Sequence, residues 1–163
     1  MTIKQTPSPN YNKRPNGEIS LIVIHNISLP PNEFDNDYIE QFFTNQLDFD
    51  KHPYFQTLMG VEVSAHLLIK RDGSVIQFVP FEKRAWHAGR SEFNGRENCN
   101  DFSIGIELEG GDEIKYTDQQ YQALNEHIKT LKSHYPITDV VGHSDIAPGR
   151  KTDPGASFDW SRI

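Results

Sequence analysis

The feature that most constrains the fold is residues 20–25, whose sequence SLIVIH is a continuous apolar, β-branched run that ends in a histidine. A run of this length without polar alternation is typical of a strand that is covered on both faces. Such strands occur in sheets that have helices packed against them. The chain is therefore expected to form an α/β domain in which this segment is a buried strand.

Patterns elsewhere predict the elements that accompany this strand. After it, a helix is predicted over residues 37–47, followed by a hairpin of strands 63–70 and 75–79 around an Asp-Gly turn. A strand is predicted over residues 103–109. A long helix then begins with a capping box at Thr117 and Gln120 and ends before Pro136, and a last strand covers residues 139–143. This order predicts an α/β fold with a central mixed β-sheet flanked by helices. We expect a single domain over residues 1–163, with 1–18 as an irregular N-terminal arm.

Composition and charge limit the classes of partner. The 163 residues include 16 basic and 23 acidic side chains, a formal net charge of −7, and they contain no basic stripe, which argues against nucleic acid. No apolar run is long enough to span a bilayer, and the N-terminus does not resemble a signal peptide, so no membrane partner is expected. Cys99 is the single cysteine, which rules out an internal disulfide and predicts a cytoplasmic location.

Two of the seven histidines, His25 and His143, are expected at the ends of strands. The loop after His143 contains Asp145 and Asp153, and either carboxylate is a candidate to join the two imidazoles. Two histidines and one carboxylate would provide the three protein ligands of a catalytic zinc site, with a fourth position open to water. The alternative interpretation is that both histidines are hydrogen-bonded core residues.

Three more residues are candidates for chemistry. In the strand over residues 103–109, Glu107 lies on the face opposite the apolar side chains, where it is either solvated or directed into a site as a proton carrier. Lys151 is either a solvated lysine or a cation at that site. Cys99 is a possible nucleophile in a loop, although nothing beside it would activate a thiol beyond Arg96.

Four segments together resemble one protein family. Residues 23–34 (VIHNISLPPNEF), 63–89 (VSAHLLIKRDGSVIQFVPFEKRAWHAG), 98–110 (NCNDFSIGIELEG) and 142–155 (GHSDIAPGRKTDPG) resemble the zinc-dependent N-acetylmuramoyl-L-alanine amidases of the amidase-2 family. The resemblance is greatest to the cytoplasmic AmpD-type enzymes, which act on 1,6-anhydromuramyl peptides. It implies the fold of peptidoglycan recognition proteins and T7-type lysozyme, and hydrolysis of the amide between muramic acid and L-alanine.

The resemblance also implies roles for individual residues. It implies one zinc ion per chain, held by His25, His143 and Asp153, with Glu107 as the catalytic carboxylate and Lys151 as the cation that stabilises the transition state. A water on the zinc would attack the lactyl carbonyl, as part of cell-wall recycling. Asn26 and Trp86 are candidates for contacts with the sugar and the peptide. His66 and His87 match residues near the cleft of the family, where each either supports the metal ligands, lies beside the substrate, or is purely structural.

The resemblance leaves some questions open. Some relatives carry basic residues where this chain has Glu62 and Asn98, which implies different substrate contacts there. The expected partners are muropeptides, and the expected state is a monomer. Three rival functions remain: a binding module without catalysis, a secreted or phage-type wall lysin, and a hydrolase that uses Cys99.

Overall fold

The computed structural model describes residues 2–163. Its strands are β1 Lys4–Gln5, β2 Tyr11–Lys13, β3 Leu21–Ile27, β4 Leu67–Ile69, β5 Val75–Gln77, β6 Lys83–Ala85, β7 Glu92–Phe93, β8 Arg96–Glu97, β9 Ser103–Glu109 and β10 Asp139–Gly142. Its α-helices are α1 Tyr38–Phe43, α2 Asp118–His134 and α3 His143–Ile146, and short 3-10 turns cover Phe49–Lys51, Pro53–Leu58, Cys99–Asp101 and Trp160–Arg162.

Six of these strands form the central sheet, in the order β1-β5-β4-β9-β3-β10. Only β4 and β5 pair antiparallel; β4 with β9, β9 with β3, β3 with β10 and β1 with β5 are parallel. The sheet is therefore mixed and is flanked by helices, which confirms the predicted fold class. The longest strands, β3 and β9, are neighbours in the middle of the sheet, where both faces are covered.

One face of the sheet packs against α2. The helix begins with the predicted capping box, in which the Thr117 hydroxyl accepts the Gln120 amide proton and the Gln120 side chain accepts the Thr117 amide proton. Leu124 and Leu131 on its apolar side pack in one cluster with the alternate residues of β3 and β9 that point towards the helix, among them Ile22, Ile24, Ile104 and Ile106. No helix within residues 2–163 is both long enough and apolar enough to cross a membrane.

The opposite face is covered by two separate apolar clusters. The first, around α1, includes Phe43, Phe55, Leu68 and Phe78. The second includes Leu21, Val23, Cys99, Phe102 and Ile146. Because side chains alternate along a strand, His25 of β3 and Glu107 of β9 point to this same face. These polar side chains therefore enter the interior where the apolar covering is divided.

The structure differs from the sequence predictions at several boundaries. The N-terminal arm is predicted to be irregular, but β1 pairs with β5 and β2 pairs with β6. These short polar strands are ordered by the free edges that they meet, which their own composition does not reveal. The first hairpin strand and the first helix are shorter than predicted, being Leu67–Ile69 and Tyr38–Phe43.

The positions of two histidines also differ from expectation. His25 is the fifth residue of a seven-residue strand and does not end it. His143 begins α3, directly after β10. The parallel pairing of β3 with β10 still brings the two together, because Gly142 lies opposite Ile24.

Candidate active site

The site begins with the register of the two central strands. His25 pairs with Glu107 across the β3–β9 ladder, so their side chains are neighbours on one face of the sheet. His25 Nδ1 lies 3.9 Å from Glu107 Oε1. Strand β10 flanks β3 on its other side and delivers His143 to the same place. Three parallel strands thus arrange a carboxylate and two imidazoles in a row.

The loop after α3 adds Asp153 to this row. Asp153 Oδ2 lies 3.2 Å from Nδ1 of His25 and 3.2 Å from Nδ1 of His143, and the two Nδ1 atoms are 3.0 Å apart. These three side chains form a group that could hold a metal ion. The rival carboxylate, Asp145, instead accepts the amide proton of Gly142 at 2.7 Å and caps α3. The structure therefore brings Asp153, and not Asp145, to the two histidines.

Hydrogen bonds behind the imidazoles direct their free nitrogens inward. His143 Nε2 is 3.0 Å from the Ala88 carbonyl, which can only accept, so this nitrogen carries the proton and Nδ1 of the neutral ring has a lone pair. His25 Nε2 is 2.8 Å from His87 Nδ1, and His87 Nε2 is 3.0 Å from the Ser103 hydroxyl. When each Nε2 donates outward along this chain, both inner Nδ1 atoms are free to bind a cation.

The donor set fits a metal ion well. Two nitrogen lone pairs and a carboxylate oxygen would converge within 3.2 Å, an arrangement that is repulsive until a cation lies between them. Ligand atoms around a tetrahedral zinc lie about 3.3 Å apart, given metal–ligand distances of about 2.0–2.1 Å. Imidazole and carboxylate are also ligands that zinc accepts.

Burial and local charge set the protonation of the site. Burial lowers the pKa of His25 to about 4, so its ring is neutral at physiological pH. Burial opposes ionisation of Asp153, but the adjacent His143 and His25 side chains outweigh burial and lower the pKa of this carboxyl below its ordinary value. These are the states that metal ligands require. Burial, reinforced by the charge of Asp153, raises the pKa of Glu107 well above its usual range.

Glu107 is set apart from the three candidate ligands. The residue is 8% exposed, and its Oε2 atom has no hydrogen-bond partner within residues 2–163. A buried carboxyl group with an unsatisfied oxygen and a raised pKa is suited to exchanging a proton with a bound molecule. It also lines the open cleft, so a substrate can reach it.

The cleft has a volume of about 830 Å³, and the candidate metal group lies in its wall. Lys151 is exposed and lines the cleft, two residues before Asp153. Trp86 is half-buried in the same wall, with its indole N–H donated to the Asn12 side chain at 3.1 Å, so the ring has a fixed position. Apolar side chains line the same cleft: Tyr54, Leu58, Val61 and Val63.

The other predicted substrate-side residues occupy different places. Asn26 lines the cleft, and its side-chain N–H groups donate to Asp112, Tyr116 and the Pro154 carbonyl, so these donors are already bonded to protein groups. His87 is 8% exposed and stands behind His25. His66 is fully buried and outside the cleft lining, where its Nδ1 accepts the Gly105 amide proton.

Three further sequence candidates lie away from the cleft. Cys99 is buried, and burial raises the pKa of its thiol, which is unfavourable for a nucleophile. Glu62 is exposed and does not line the cleft. Asn98 lines a separate groove beside the β7–β8 hairpin. None of the three reaches the candidate metal group.

Sequence reasoning missed Asp112 and Tyr116, which hold the loop that carries Asp153. From the sequence, the Gly110-Gly111 pair indicates only the end of a strand. In the structure its glycines permit close packing, because a Cβ at Gly110 would overlap the Tyr116 ring and one at Gly111 would overlap Asn32. The glycine pair in the sequence therefore indicates that other groups pack closely against this loop, but it does not identify those groups.

Comparisons with known proteins agree with this geometry. The profile of the N-acetylmuramoyl-L-alanine amidase family (Amidase_2) matches residues 15–156. The 1,6-anhydro-N-acetylmuramyl-L-alanine amidase AmpD of Salmonella typhimurium (strain SL1344) is 57% identical over 163 residues, covering 98% of this chain and 87% of the relative. A crystal structure of a selenomethionine derivative of AmpD superimposes with a TM-score of 0.96 at 55% identity, covering 98% of this chain and 91% of that one.

A third relative is known with a bound molecule. The amidase AmiD of E. coli, solved with the substrate anhydro-N-acetylmuramic acid-L-Ala-D-gamma-Glu-L-Lys, superimposes with a TM-score of 0.64 at 33% identity, covering 88% of this chain and 55% of that one. The family match covers most of the chain, and the described site lies within it. The chain therefore belongs to the N-acetylmuramoyl-L-alanine amidase family and is an enzyme of that class.

Proposed function

We propose that this enzyme is a zinc-dependent hydrolase of the amide between the lactyl group of 1,6-anhydro-N-acetylmuramic acid and L-alanine in soluble peptidoglycan fragments. The observation that carries the proposal is the convergence of His25, His143 and Asp153 beside an unpartnered buried carboxyl, in the wall of an open cleft. The anhydro sugar is inferred from the name of the AmpD relative and from the ligand solved in AmiD.

The three ligand residues would hold one zinc ion. When bound, zinc lowers the pKa of water to about 7 and polarises a carbonyl, which supplies a nucleophile and an electrophile at neutral pH. His87 and Ala88 keep the outer nitrogens of the two histidines occupied, so that the ligand nitrogens keep their orientation. The chain thus contributes a preorganised set of ligands with one side open to the cleft.

Glu107 is assigned to proton transfer. Its carboxyl group is close enough to the ligand set to receive a proton from attacking water, at 3.9 Å from His25 Nδ1. The protonated carboxyl can then return that proton to the amine of L-alanine as the amide bond breaks. No lysine or arginine within residues 2–163 forms an ion pair with Glu107, which keeps the group available for this exchange.

Lys151 is assigned to the charge that develops on the carbonyl oxygen. It stands two residues before Asp153, so the loop that supplies a ligand also presents the ammonium group to the cleft. A cation at that point stabilises a negative charge that exists only in the transition state. Trp86 offers a flat apolar surface in the same wall, suited to packing against the sugar ring.

The proposal includes a role in cell-wall recycling in the cytoplasm, with the enzyme acting as a monomer on imported fragments. Its support is the free, buried Cys99 and the identity to the AmpD relative. Cell fractionation tests the location: recovery of the enzyme mainly from the periplasm or medium would contradict it, and would favour the alternative of a wall lysin.

The function is tested by product analysis. Purified enzyme is incubated with anhydromuramyl-tripeptide and, separately, with intact sacculi, and the products are identified by mass spectrometry. We expect free tripeptide and anhydromuramic acid from the first substrate, loss of turnover after chelation, and recovery on adding zinc. Tight binding of the fragment without cleavage at full zinc occupancy would show a binding module, and turnover that survives chelation would contradict the zinc mechanism.

A further inference from the structure

Two loops meet beside the candidate metal group. The first, residues 110–117, follows β9; the second, residues 150–157, follows α3 and carries Lys151 and Asp153. Neither loop contains a helix or a strand. The position of Asp153 therefore depends on what the second loop contacts.

The Pro154 carbonyl is the centre of these contacts. The Tyr116 hydroxyl donates to it at 2.7 Å, and the Asn26 amide donates to it at 3.2 Å. Asn26 also donates to Asp112 Oδ1 at 2.8 Å and to the Tyr116 oxygen at 3.0 Å. Burial raises the pKa of Tyr116 above its ordinary value, which keeps the hydroxyl protonated as a donor. The residue directly after Asp153 is thus fixed by two side chains.

Asp112 holds the second loop on both sides of Asp153. Its Oδ2 accepts the hydroxyl proton of Thr152, and its backbone carbonyl accepts the Ser157 amide proton at 3.0 Å. Gly155 has a positive φ of 82°, and a Cβ there would overlap the Asp112 backbone. Glycine at this position therefore allows the two loops to approach closely.

We propose that Asn26, Asp112 and Tyr116 form a clamp that positions Asp153 as a metal ligand and Lys151 beside the reacting carbonyl. Asn26 follows the ligand His25 directly in β3, so the clamp connects the two ligand-bearing segments. This inference rests on the proposed function, in which Asp153 binds zinc. The clamp residues are positioning residues, since their polar groups bond to protein atoms.

The physical consequence is preorganisation. A loop held by several hydrogen bonds loses less conformational freedom when Asp153 binds a metal, so metal binding is more favourable. Changes to residues that orient metal ligands typically reduce affinity by about 10- to 100-fold. A loosened clamp should also lower the fraction of molecules in which Lys151 is correctly placed.

The chain offers a closely matched pair of tyrosines for the test. Tyr116 and Tyr121 are both buried, their rings are 6.3 Å apart, and both hydroxyls bond to the backbone of the C-terminal segment. Tyr121, however, accepts the Asp159 amide proton, away from the metal group. Tyr116→Phe and Tyr121→Phe each remove one hydroxyl from the same aromatic cluster, but only the first opens the clamp.

Zinc affinity of the metal-free proteins is measured by competition with a chromophoric chelator, and amide hydrogen exchange in residues 151–157 is followed by mass spectrometry. We expect Tyr116→Phe to weaken zinc binding about tenfold and to speed exchange in this loop, with Tyr121→Phe close to wild type in both. Asp112→Asn should resemble Tyr116→Phe. Both readouts are independent of turnover.

The outcomes separate this inference from the proposed function. Wild-type protein that binds zinc, together with equal affinities for Tyr116→Phe and Tyr121→Phe, would overturn the clamp alone. Wild-type protein that binds no zinc would overturn the clamp and the proposed metal site together. If Tyr116→Phe fails to fold, Thr152→Val, which removes an exposed hydroxyl from Asp112, gives the same comparison and is expected to weaken zinc binding by a smaller factor.

Discussion

Two buried polar clusters lie on the same face of the sheet, and their hydrogen bonding differs. In the cluster around Arg14, the guanidinium donates to four carbonyls, those of Phe81, Asn100, Asp101 and Ser103. His66 accepts from the Gly105 amide and donates to the Lys83 carbonyl. In the cluster around His25, by contrast, acceptor atoms converge on each other, and one Glu107 oxygen has no partner within residues 2–163.

This difference in hydrogen bonding distinguishes a cluster that supports the fold from a cluster suited to chemistry. Buried polar groups are normally paired, and the Arg14 cluster meets that condition with protein groups alone. Burial lowers the pKa of Arg14 to about 10, so it remains charged at neutral pH and can keep its bonds. Protein groups alone leave the His25 cluster unsatisfied, which is the expected state of a site that binds a cation and a substrate. The predictions that follow test this contrast.

The largest expected effect comes from removing a ligand. Asp153→Ala should abolish stoichiometric zinc binding and turnover, because only two nitrogen ligands remain. Asp145→Ala is the control: it removes the bond to the Gly142 amide and should reduce stability by about 1 kcal/mol while zinc remains bound. Elemental analysis of both purified variants decides the assignment. Full zinc in the Asp153 variant with loss in the Asp145 variant would reverse the roles of the two aspartates.

Glu107→Gln should separate catalysis from metal binding. The variant keeps the shape of the side chain but cannot carry the proton, so kcat should fall by about 10²- to 10⁴-fold with zinc content unchanged. It also removes a buried carboxyl with an unpaired oxygen, so the free energy of unfolding should not decrease. Steady-state kinetics and urea denaturation measure the two effects. Near-normal turnover would mean that Glu107 is only a residue of the sheet face.

Lys151→Met should give a smaller loss with a distinct kinetic pattern. Loss of one group that stabilises an oxyanion typically costs about 3 kcal/mol, so kcat and kcat/KM should both fall about 10²-fold while KM hardly changes. Lys151 is exposed, so stability should stay close to that of the wild type. An increased KM at unchanged kcat would instead assign Lys151 to a carboxylate of the substrate. Kinetics at verified full zinc occupancy distinguish these outcomes.

The fold could be predicted from the sequence because its signals are local. The apolar run of β3, the Asp-Gly hairpin and the capping box at Thr117 each act within a few residues, and each appears in the structure. The N-terminal strands could not be predicted, because they are ordered by pairing with strands at least 70 residues away. Local signals thus define the elements, and distant contacts decide their boundaries.

The site could be predicted only in part for the same reason. Spacing along the chain could not choose between Asp145 and Asp153, since the choice depends on the capping bond of Asp145 and on the clamp around Pro154. The family resemblance indicated Asp153, and the distances from Asp153 to the two histidines support that assignment. The distinct environments of His66 and His87 were beyond either source, because they depend on how Arg14 and Gly105 pack beneath the sheet.

The smallest expected effect concerns His66 and tests whether the Arg14 cluster is purely structural. Burial lowers the pKa of His66 to about 3 in the folded protein, whereas an unfolded histidine titrates near 6.5. The stability that depends on neutral His66 is therefore complete above pH 6.5 and is lost as pH falls below that value, where the unfolded chain binds one more proton. This residue changes the free energy of unfolding by at most about 1.4 kcal/mol per pH unit.

The test compares metal-free wild type with metal-free His66→Asn, because His25 and His87 titrate in the same direction as His66. Urea denaturation is measured between about pH 7.5 and 5, a range that spans the pKa of histidine in the unfolded chain. The variant should be less stable at the upper end of this pH range. Its stability should also fall less steeply as pH is lowered, because it lacks the proton that His66 takes up on unfolding. Parallel curves would show that His66 takes up its proton in the folded state, and that the Arg14 cluster is no better satisfied than the cluster it was contrasted with.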